Sequence, residues 1–485
     1  MLPQRLTLLL WLLAACPFCE ASQDPIGNES AGIVYDSSGV QVPLTKLDEN
    51  LSYYLQQSIR AELKRRLSPK ADVVLADDAE FAHLNQRYSN YKRPTYIAGV
   101  KVTEEMDVVK YARARGIPFV ARTGGHSLTT SLHSIQDGIV IDMRGLDHIT
   151  YDPIKQQVII GGGVQTGTFA TATFAHGIEL TVGSCPCTGV MGYENTSLFW
   201  AVRGAGHNFG IALETTFQVY PQQNDGKRYV VDFEFELDAV EGIFETMNQI
   251  SSPMPAELAV FIIGRSRGHT GGDKPTINVN LVWPGPKSDA ASYVNLFAAL
   301  SPVWRDEKVA TWDALPWATY NGLNNVICTP EGWARFPIKN FYVANVQSYD
   351  VPTMRAFVDG WRDMNAKYAG EALFSFMFES FPQQGVRERA RDSTAFPWRM
   401  ESNHFLTMEA AAKSPLNEDI FDRWLSKQQD AWIHTSGFGR LHQYVNYGHG
   451  SKDPPESLYG YDAWRLGKLR ALKKEYDPEG WFNGY

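Results

Sequence analysis

Six consecutive residues, Arg122-Thr123-Gly124-Gly125-His126-Ser127, carry the clearest chemical signal in the chain. Two adjacent glycines let the backbone approach a ligand closely and turn its N–H groups toward phosphate oxygens. Arg122 can neutralise the charge, and His126 places a nucleophilic ring nitrogen beside whatever the loop cradles. On physics alone this is a diphosphate-binding turn with an adjacent nucleophile. A tight turn with a structural histidine weighs as much on the bare hexapeptide. No Gly-Lys-Ser/Thr follows, which excludes a Walker loop, and the Rossmann dinucleotide fingerprint is absent. The 11 histidines show no His-Glu-x-x-His spacing, and His133, His176 and His207 are scattered, so the sequence gives no metal site.

The elements that must position this loop can be read from periodicity. Residues 96–100 read as a strand. Residues 103–115 read as a helix, capped by Thr103, with Glu104 and Glu105 at its positive end and Gly116 at its stop. Residues 117–121 form a strand that runs directly into the Gly-Gly loop. Strands follow at 138–143 and 157–160, and a helix at 167–176. This alternation marks an α/β region. Residues 51–67 have helical spacing, whereas 71–91 read as a polar loop. Beyond about residue 225 the pattern changes: 228–237, 258–265 and 276–283 alternate like antiparallel strands, with a helix at 240–250. Residues 444–447 read as a strand, and 464–476 as a basic amphipathic helix stopped by Asp477-Pro478.

The 485 residues suit two domains, and 44% hydrophobic against 20% charged residues suits a full core. The net charge is -9 and no basic stripe exists, which argues against nucleic acid as a partner. Residues 1–21 have the layout of a secretion signal: Arg5, an apolar run over 6–16 too short to span a bilayer, then small residues before a cleavage point. A secreted protein is expected, with no membrane attachment after cleavage. Sequons at Asn28, Asn50 and Asn195 agree as glycosylation candidates. Cys185, Cys187 and Cys328 remain after cleavage, an odd number that leaves at least one thiol. A Cys185–Cys187 bond would close a very tight loop.

The order of segments resembles a known family. Arg93-Pro94 precedes the hexapeptide, and Gly138-Ile139-Val140-Ile141-Asp142-Met143 follows it. Then come Gly162-Gly163, Gly183-Ser184-Cys185-Pro186, Leu198-Phe199-Trp200-Ala201-Val202-Arg203-Gly204 and Asn208-Phe209-Gly210-Ile211. This order resembles the FAD-binding domain of the vanillyl-alcohol oxidase (PCMH) type and, more narrowly, the berberine bridge enzyme-like oxidases. Tyr444-Val445-Asn446-Tyr447, Leu469-Arg470-Ala471-Leu472-Lys473 and Tyr476-Asp477-Pro478 are similar to that family's closing segment. The likeness covers residues 60–220 and 440–485.

The resemblance implies an α+β fold: a two-part PCMH-type FAD-binding domain, and an α+β substrate domain whose antiparallel sheet is covered by helices. The divisions are a signal at 1–21, an arm at 22–59, the FAD domain at 60–222, the substrate domain at 223–440, and a returning segment at 441–485. It implies FAD bonded through His126 at the 8α position, with Cys185 at the place of a second bond, at C6. Arg122, Thr123, Gly124, Gly125 and Ser127 surround the tether. Gly162 and Gly163 let the adenine side approach, and Asn208 and Asn446 contact the flavin. Gly204 and Gly206 read as turn residues. Tyr444 or Tyr447 is the base or its partner, and strand alternation lets only one of them face the ring. A tyrosine base needs a lowered pKa. The implied reaction takes a hydride from a small-molecule alcohol, sugar or amine to the flavin and then to oxygen. A flavin-dependent cyclase and a non-catalytic relic are the rival readings.

Two departures from the family stand out. After Gly192 the sequence runs straight into Glu194-Asn195-Thr196, where the family carries a further glycine-rich stretch, a helix and a strand pair. Both edges match sharply, which favours a lost exon over a remodelled site. Thr188 lies near a position that in the family influences oxygen access.

Overall fold

The computed structural model describes residues 34–35, 41–42, 49–102, 107–189, 196–268, 274–401, 404–450 and 452–483. The expected signal, Asn28, Asn195, the expected cap at Thr103 with Glu104 and Glu105, and the junction at Gly192 lie outside the described residues.

The N-terminal half begins with helix α1 (Glu49–Arg66), which carries Asn50 in its first turn. Strands β1 (Asp72–Leu75), β2 (Tyr96–Lys101), β3 (Phe119–Arg122) and β4 (Gly138–Asp142) form a sheet in the order β1-β2-β4-β3. β1 is antiparallel to β2, while β2 and β3 both run parallel to β4. Ile59 and Leu63 of α1 pack on Val73, Val100, Ile139 and Ile141. Helix α2 (Asp107–Arg113) adds Val108, Tyr111 and Ala112 to that core. β1 corrects the expectation of a loop over 71–91, which also holds a helical turn, Phe81–Leu84. Val73, Val74 and Leu75 are all buried, so the strand shows no alternation to betray it.

A second small sheet follows, β7-β6-β5, from β5 (Ile149–Asp152), β6 (Gln157–Gly161) and β7 (Glu214–Gln218), all antiparallel. Helices α3 (Thr166–Ala175) and α4 (Thr196–Ala205) lie between β6 and β7 in the chain.

The other half is one seven-stranded antiparallel sheet. Its strands are β8 (Lys227–Phe235), β9 (Ala259–Arg265), β10 (Thr276–Trp283), β11 (Trp304–Thr311), β12 (Ile338–Val346), β13 (Ala372–Ser380) and β14 (His404–Ala412). They lie in the order β11-β8-β10-β9-β13-β14-β12. Period-two alternation sends Phe233, Phe235, Val279, Phe374, Phe376 and Phe378 to one face. Helices α5 (Val240–Ile250), α6 (Lys287–Ala298), α7 (Val351–Lys367) and α8 (Glu418–Thr435) cover that face through Phe244, Phe297, Trp361 and Trp432. The opposite face carries Asp232, Glu234, Phe261, Ile263, Met377, Glu379, Glu409 and Lys339, and it meets the N-terminal half. Ser89 Oγ and Lys339 O join the halves at 2.8 Å.

Helix α9 (Ala463–Tyr476) brings the chain back. Its Lys473 Nζ donates to Asn208 O and Phe482 O, each at 2.7 Å. The expected strand at 444–447 is instead a 3-10 turn over Val445–Tyr447. Three of these four residues are aromatic or β-branched and favour a strand, but no strand among the described residues pairs with them.

Candidate functional site

β3 and β4 run parallel with Arg122 opposite Asp142, so the hexapeptide leaves from the carboxyl ends of the strands, where open sheets bind ligands. Two positions explain its glycines. Gly125 has φ +72°, which favours glycine, and a Cβ on Gly124 would lie 2.5 Å from the Cys187 carbonyl oxygen. Arg122 donates to Gln86 O at 2.9 and 3.2 Å, while its Nη1 is buried with no partner. Thr123 Oγ1 donates to Gly162 O at 2.8 Å, and Ser127 O accepts from Arg87 at 3.0 Å. The His126 ring stacks on Tyr88, centroids 5.3 Å apart, with Trp333 edge-on at 5.0 Å. Burial, with Arg122 and Lys339 adding, lowers the His126 pKa to about 4. The imidazole is therefore neutral and nucleophilic at ordinary pH. Its Nε2 is buried without a partner.

A second loop, residues 183–189, packs on the first. Cys187 is bonded to Cys328 across 141 residues, and Cys185 is the free thiol. That answers which cysteine is left over. Thr188 Oγ1 donates to Cys185 O at 2.8 Å, and Asn324 Nδ2 to Ser184 O at 3.3 Å, so both halves hold the loop. Burial pushes the Cys185 thiol up.

The C-terminal turn supplies the third wall. Tyr444 and Tyr447 both line the cavity, because a 3-10 turn brings positions three apart together; their rings meet edge-on at 5.3 Å. This overturns the expectation that only one could face inward. Asn446 Nδ2 donates to the Tyr444 hydroxyl at 2.7 Å. The Tyr447 hydroxyl donates to Glu379 Oε1 at 2.9 Å. Burial raises both phenols, and Glu379 raises Tyr447 further, so neither tyrosine has the lowered pKa that a tyrosine base requires. Glu379 is the group tuned to neutral pH: burial lifts it from 4.5 to about 7, held back only by the Tyr447 hydrogen bond. The sequence reading missed Glu379. Its signal was one carboxylate among the apolar residues of β13. Also missed was the brace behind His126: Lys339 Nζ donates to Tyr88 O at 2.6 Å, and the Tyr88 hydroxyl bonds Glu409.

These walls enclose a cavity of about 2470 Å³ lined by Arg122 to Ser127, Gly162, Cys185, Thr188 and Tyr444 to Tyr447. Sites for one small ligand are about 300–1,000 Å³, so there is room for a dinucleotide and a substrate. Two expected residues are elsewhere. Gly163 is outside the lining, and a Cβ there would lie 2.0 Å from Met143 O, so protein packing demands that glycine. Asn208 turns its side chain to the Tyr459 hydroxyl at 2.6 Å, away from the cavity. Gly162 lines the cavity, yet its own Cβ would meet Ala212 O at 2.1 Å. Gly204 is needed for close approach to Ala395, where a Cβ would come within 2.4 Å. Gly210 does open onto the cavity, with nothing within 4 Å of a Cβ. The orphaned Arg122 Nη1, the bare His126 Nε2 and the open Gly210 suit a flat, anionic dinucleotide such as FAD.

Comparison with known proteins bears on the same stretch. A family model described as "FAD binding domain" matches residues 95–199. The FAD-linked oxidoreductase alt4 of Alternaria solani is 43% identical over 466 residues, covering 89% of this chain and 96% of its own length. Since 89% of 485 residues is about 432, about 34 of those aligned positions face no residue of this chain. The FAD-linked oxidoreductase tazG of Aspergillus terreus is 28% identical, covering 86% of this chain and 92% of its own. Among solved structures, Physcomitrella patens BBE-like 1 superimposes with a TM-score of 0.72 at 19% identity, covering 88% and 97% of the two chains. Xylooligosaccharide oxidase from Myceliophthora thermophila gives 0.68 at 17%, also covering 88% and 97%.

Proposed function

The chain belongs to the FAD-linked oxidoreductases, in the fold shared by the berberine bridge enzyme-like proteins, and on that footing we propose how its own residues work. His126 is the covalent tether and Cys185 the second attachment point. Bound there, FAD would supply the two-electron acceptor for a hydride from a carbon bearing a hydroxyl or amine, with oxygen as the final acceptor. The Tyr447 hydroxyl takes the substrate's O–H or N–H proton while giving its own to Glu379. Arg122 and the N–H groups of the Gly-Gly turn hold the diphosphate. Tyr444, fixed by Asn446, forms the wall beside the donor carbon.

One observation carries this reading: the 2.9 Å contact from Tyr447 to a carboxylate tuned to about 7. A proton acceptor with a pKa near the working pH is the efficient choice for general base catalysis. The substrate is a small-molecule alcohol, sugar or amine of secondary metabolism. The test is the spectrum of the purified chain before and after acid precipitation, then anaerobic flavin reduction against a panel of such compounds. A colourless protein, or a panel that leaves the colour unchanged, would sink the assignment.

The N-terminal 21 residues are read as a secretion signal. The Cys187–Cys328 bond supports an oxidising compartment. Among the described residues no helix is long and apolar enough to cross a membrane. N-terminal sequencing of exported protein tests this: a start at Met1 refutes it. The break after Gly192 is read as a lost exon. The chain falls about 34 positions short of alt4 over their alignment, which accords with a missing piece, and a full-length transcript without the insert would refute it.

A further inference from the structure

At the cavity wall, His126 and Cys185 stand beside the Cys187–Cys328 pair, a donor set drawn from three distant stretches of chain, which is why no sequence spacing revealed it. Cys185 Sγ lies 3.5 Å from Cys187 Sγ and 3.8 Å from Cys328 Sγ. A ring nitrogen of His126 and the sulfurs of Cys185 and Cys187 all lie within 4.8 Å of one another. Zinc with thiolate bonds of about 2.3 Å and an imidazole bond of about 2.0 Å needs sulfurs about 3.8 Å apart and nitrogen about 3.5 Å from each sulfur. Cys185 already stands near that spacing from both other sulfurs; reduction must part Cys187 from Cys328, and His126 closes by about 1 Å on Cys185 and Cys187. Three thiolates and one neutral imidazole form a common tetrahedral zinc set.

The surroundings favour occupancy. His126 Nε2 is buried without a hydrogen-bond partner. Zinc with three thiolates carries a net negative charge, and Arg122 and Lys339 both act on His126 as nearby cations. The loops are held in register without the metal: Gly124 abuts the Cys187 carbonyl, and Asn324 grips Ser184 O.

We propose that, while Cys187 and Cys328 are reduced, the chain binds one Zn2+ through Cys185, Cys187, Cys328 and His126, and that closing the disulfide ejects the metal. A dithiol reductant opens the bond by giving it two electrons and two protons, and leaves as its own cyclic disulfide. The metal then displaces three thiol protons to solvent. A disulfide oxidant reverses both steps: it takes two electrons from the Cys187 and Cys328 thiolates, and the Zn2+ returns to solution. Metal and flavin tether compete for one histidine, so the disulfide sets which of them the cavity accepts.

The test titrates Co2+ into the full chain made in a reducing cytosol and kept reduced. One Co2+ per chain should give the strong visible bands of a tetrahedral thiolate complex, and Zn2+ should displace it. Oxidation should abolish the bands as the thiol count falls by two. Cys185→Ser can still form the disulfide, and once reduced it should bind Co2+ about 100-fold more weakly or worse. A reduced chain with native circular dichroism and no such bands overturns the proposal. Equal affinity in Cys185→Ser does so too, since binding would then lie elsewhere. No readout involves flavin or turnover, so the oxidase reading stands or falls separately.

Discussion

Glu379→Gln tests the catalytic reading most directly, because the two side chains match in shape and differ in charge. Raising a carboxyl from 4.5 to about 7 corresponds to about 3 kcal/mol of penalty on the buried charge. The sign follows from linkage. Below pH 4.5 folded and unfolded chains both keep the proton, so the substitution leaves stability unchanged. Between 4.5 and 7 only the unfolded wild type ionises, and the folded form loses ground as pH rises. Above 7 the variant should be more stable than wild type by about 3 kcal/mol, read from urea midpoints at pH 5 and pH 9. Catalysis should move the other way. Gln cannot take the proton relayed by Tyr447, so the anaerobic reduction rate should fall by about 10²–10⁴. The wild-type rate should rise with pH through about 7, and that inflection should vanish in the variant. Wild-type reduction rates with the inflection intact in Glu379→Gln would refute the reasoning.

Three further outcomes follow from the same geometry. Tyr447→Phe removes the hydrogen bond that holds Glu379 down, so the inflection should shift above 7 while reduction slows by about 10²–10⁴; an unmoved inflection contradicts the contact. His126→Ala should lower the fraction of flavin that survives acid precipitation, and His126→Ala with Cys185→Ser should leave the pellet colourless. Gly124→Ala pushes a methyl against the Cys187 carbonyl, a backbone atom 2.5 Å away, and should cost about 1–3 kcal/mol in urea unfolding along with lower flavin content. An unchanged midpoint would show that the loops part easily.

What the sequence disclosed depended on how local the signal was. The hexapeptide was legible because its chemistry lies in six neighbouring residues. α5 and β10 were legible because each shows its own period over eight or more residues. β1 escaped because burial of Val73, Val74 and Leu75 erased the alternation. The 444–447 turn was misread because propensity speaks for strand where tertiary packing imposes a 3-10 turn. Glu379 was invisible because its partner is 68 residues away. The Cys187–Cys328 pairing was open for the same reason: an odd count of thiols says one is free and nothing about which. Asn208 was assigned by its neighbours in the chain, but its amide answers to Tyr459, 251 residues on.

The face of the seven-stranded sheet opposite its four covering helices, packed against the N-terminal half, explains why Glu379, and not another group, is poised as the base. Besides Asp232 and Glu234 on β8, that face buries Glu379 and Glu409, and burial raises both of these. Glu409 has the Lys339 cation and the Tyr88 hydroxyl to oppose the rise. Those bonds make it a brace: Lys339 and Glu409 together fix Tyr88, and Tyr88 fixes the plane of His126. Glu379 has only the neutral Tyr447 hydroxyl acting against burial. A carboxylate with a cation resists protonation and serves structure, whereas one without it holds a proton near neutral pH and can exchange it. The two strands that carry them, β13 and β14, are neighbours in the sheet. One short stretch of sheet thus orients the tethering histidine and receives the substrate's proton, and the difference between the two tasks comes down to where Lys339 sits.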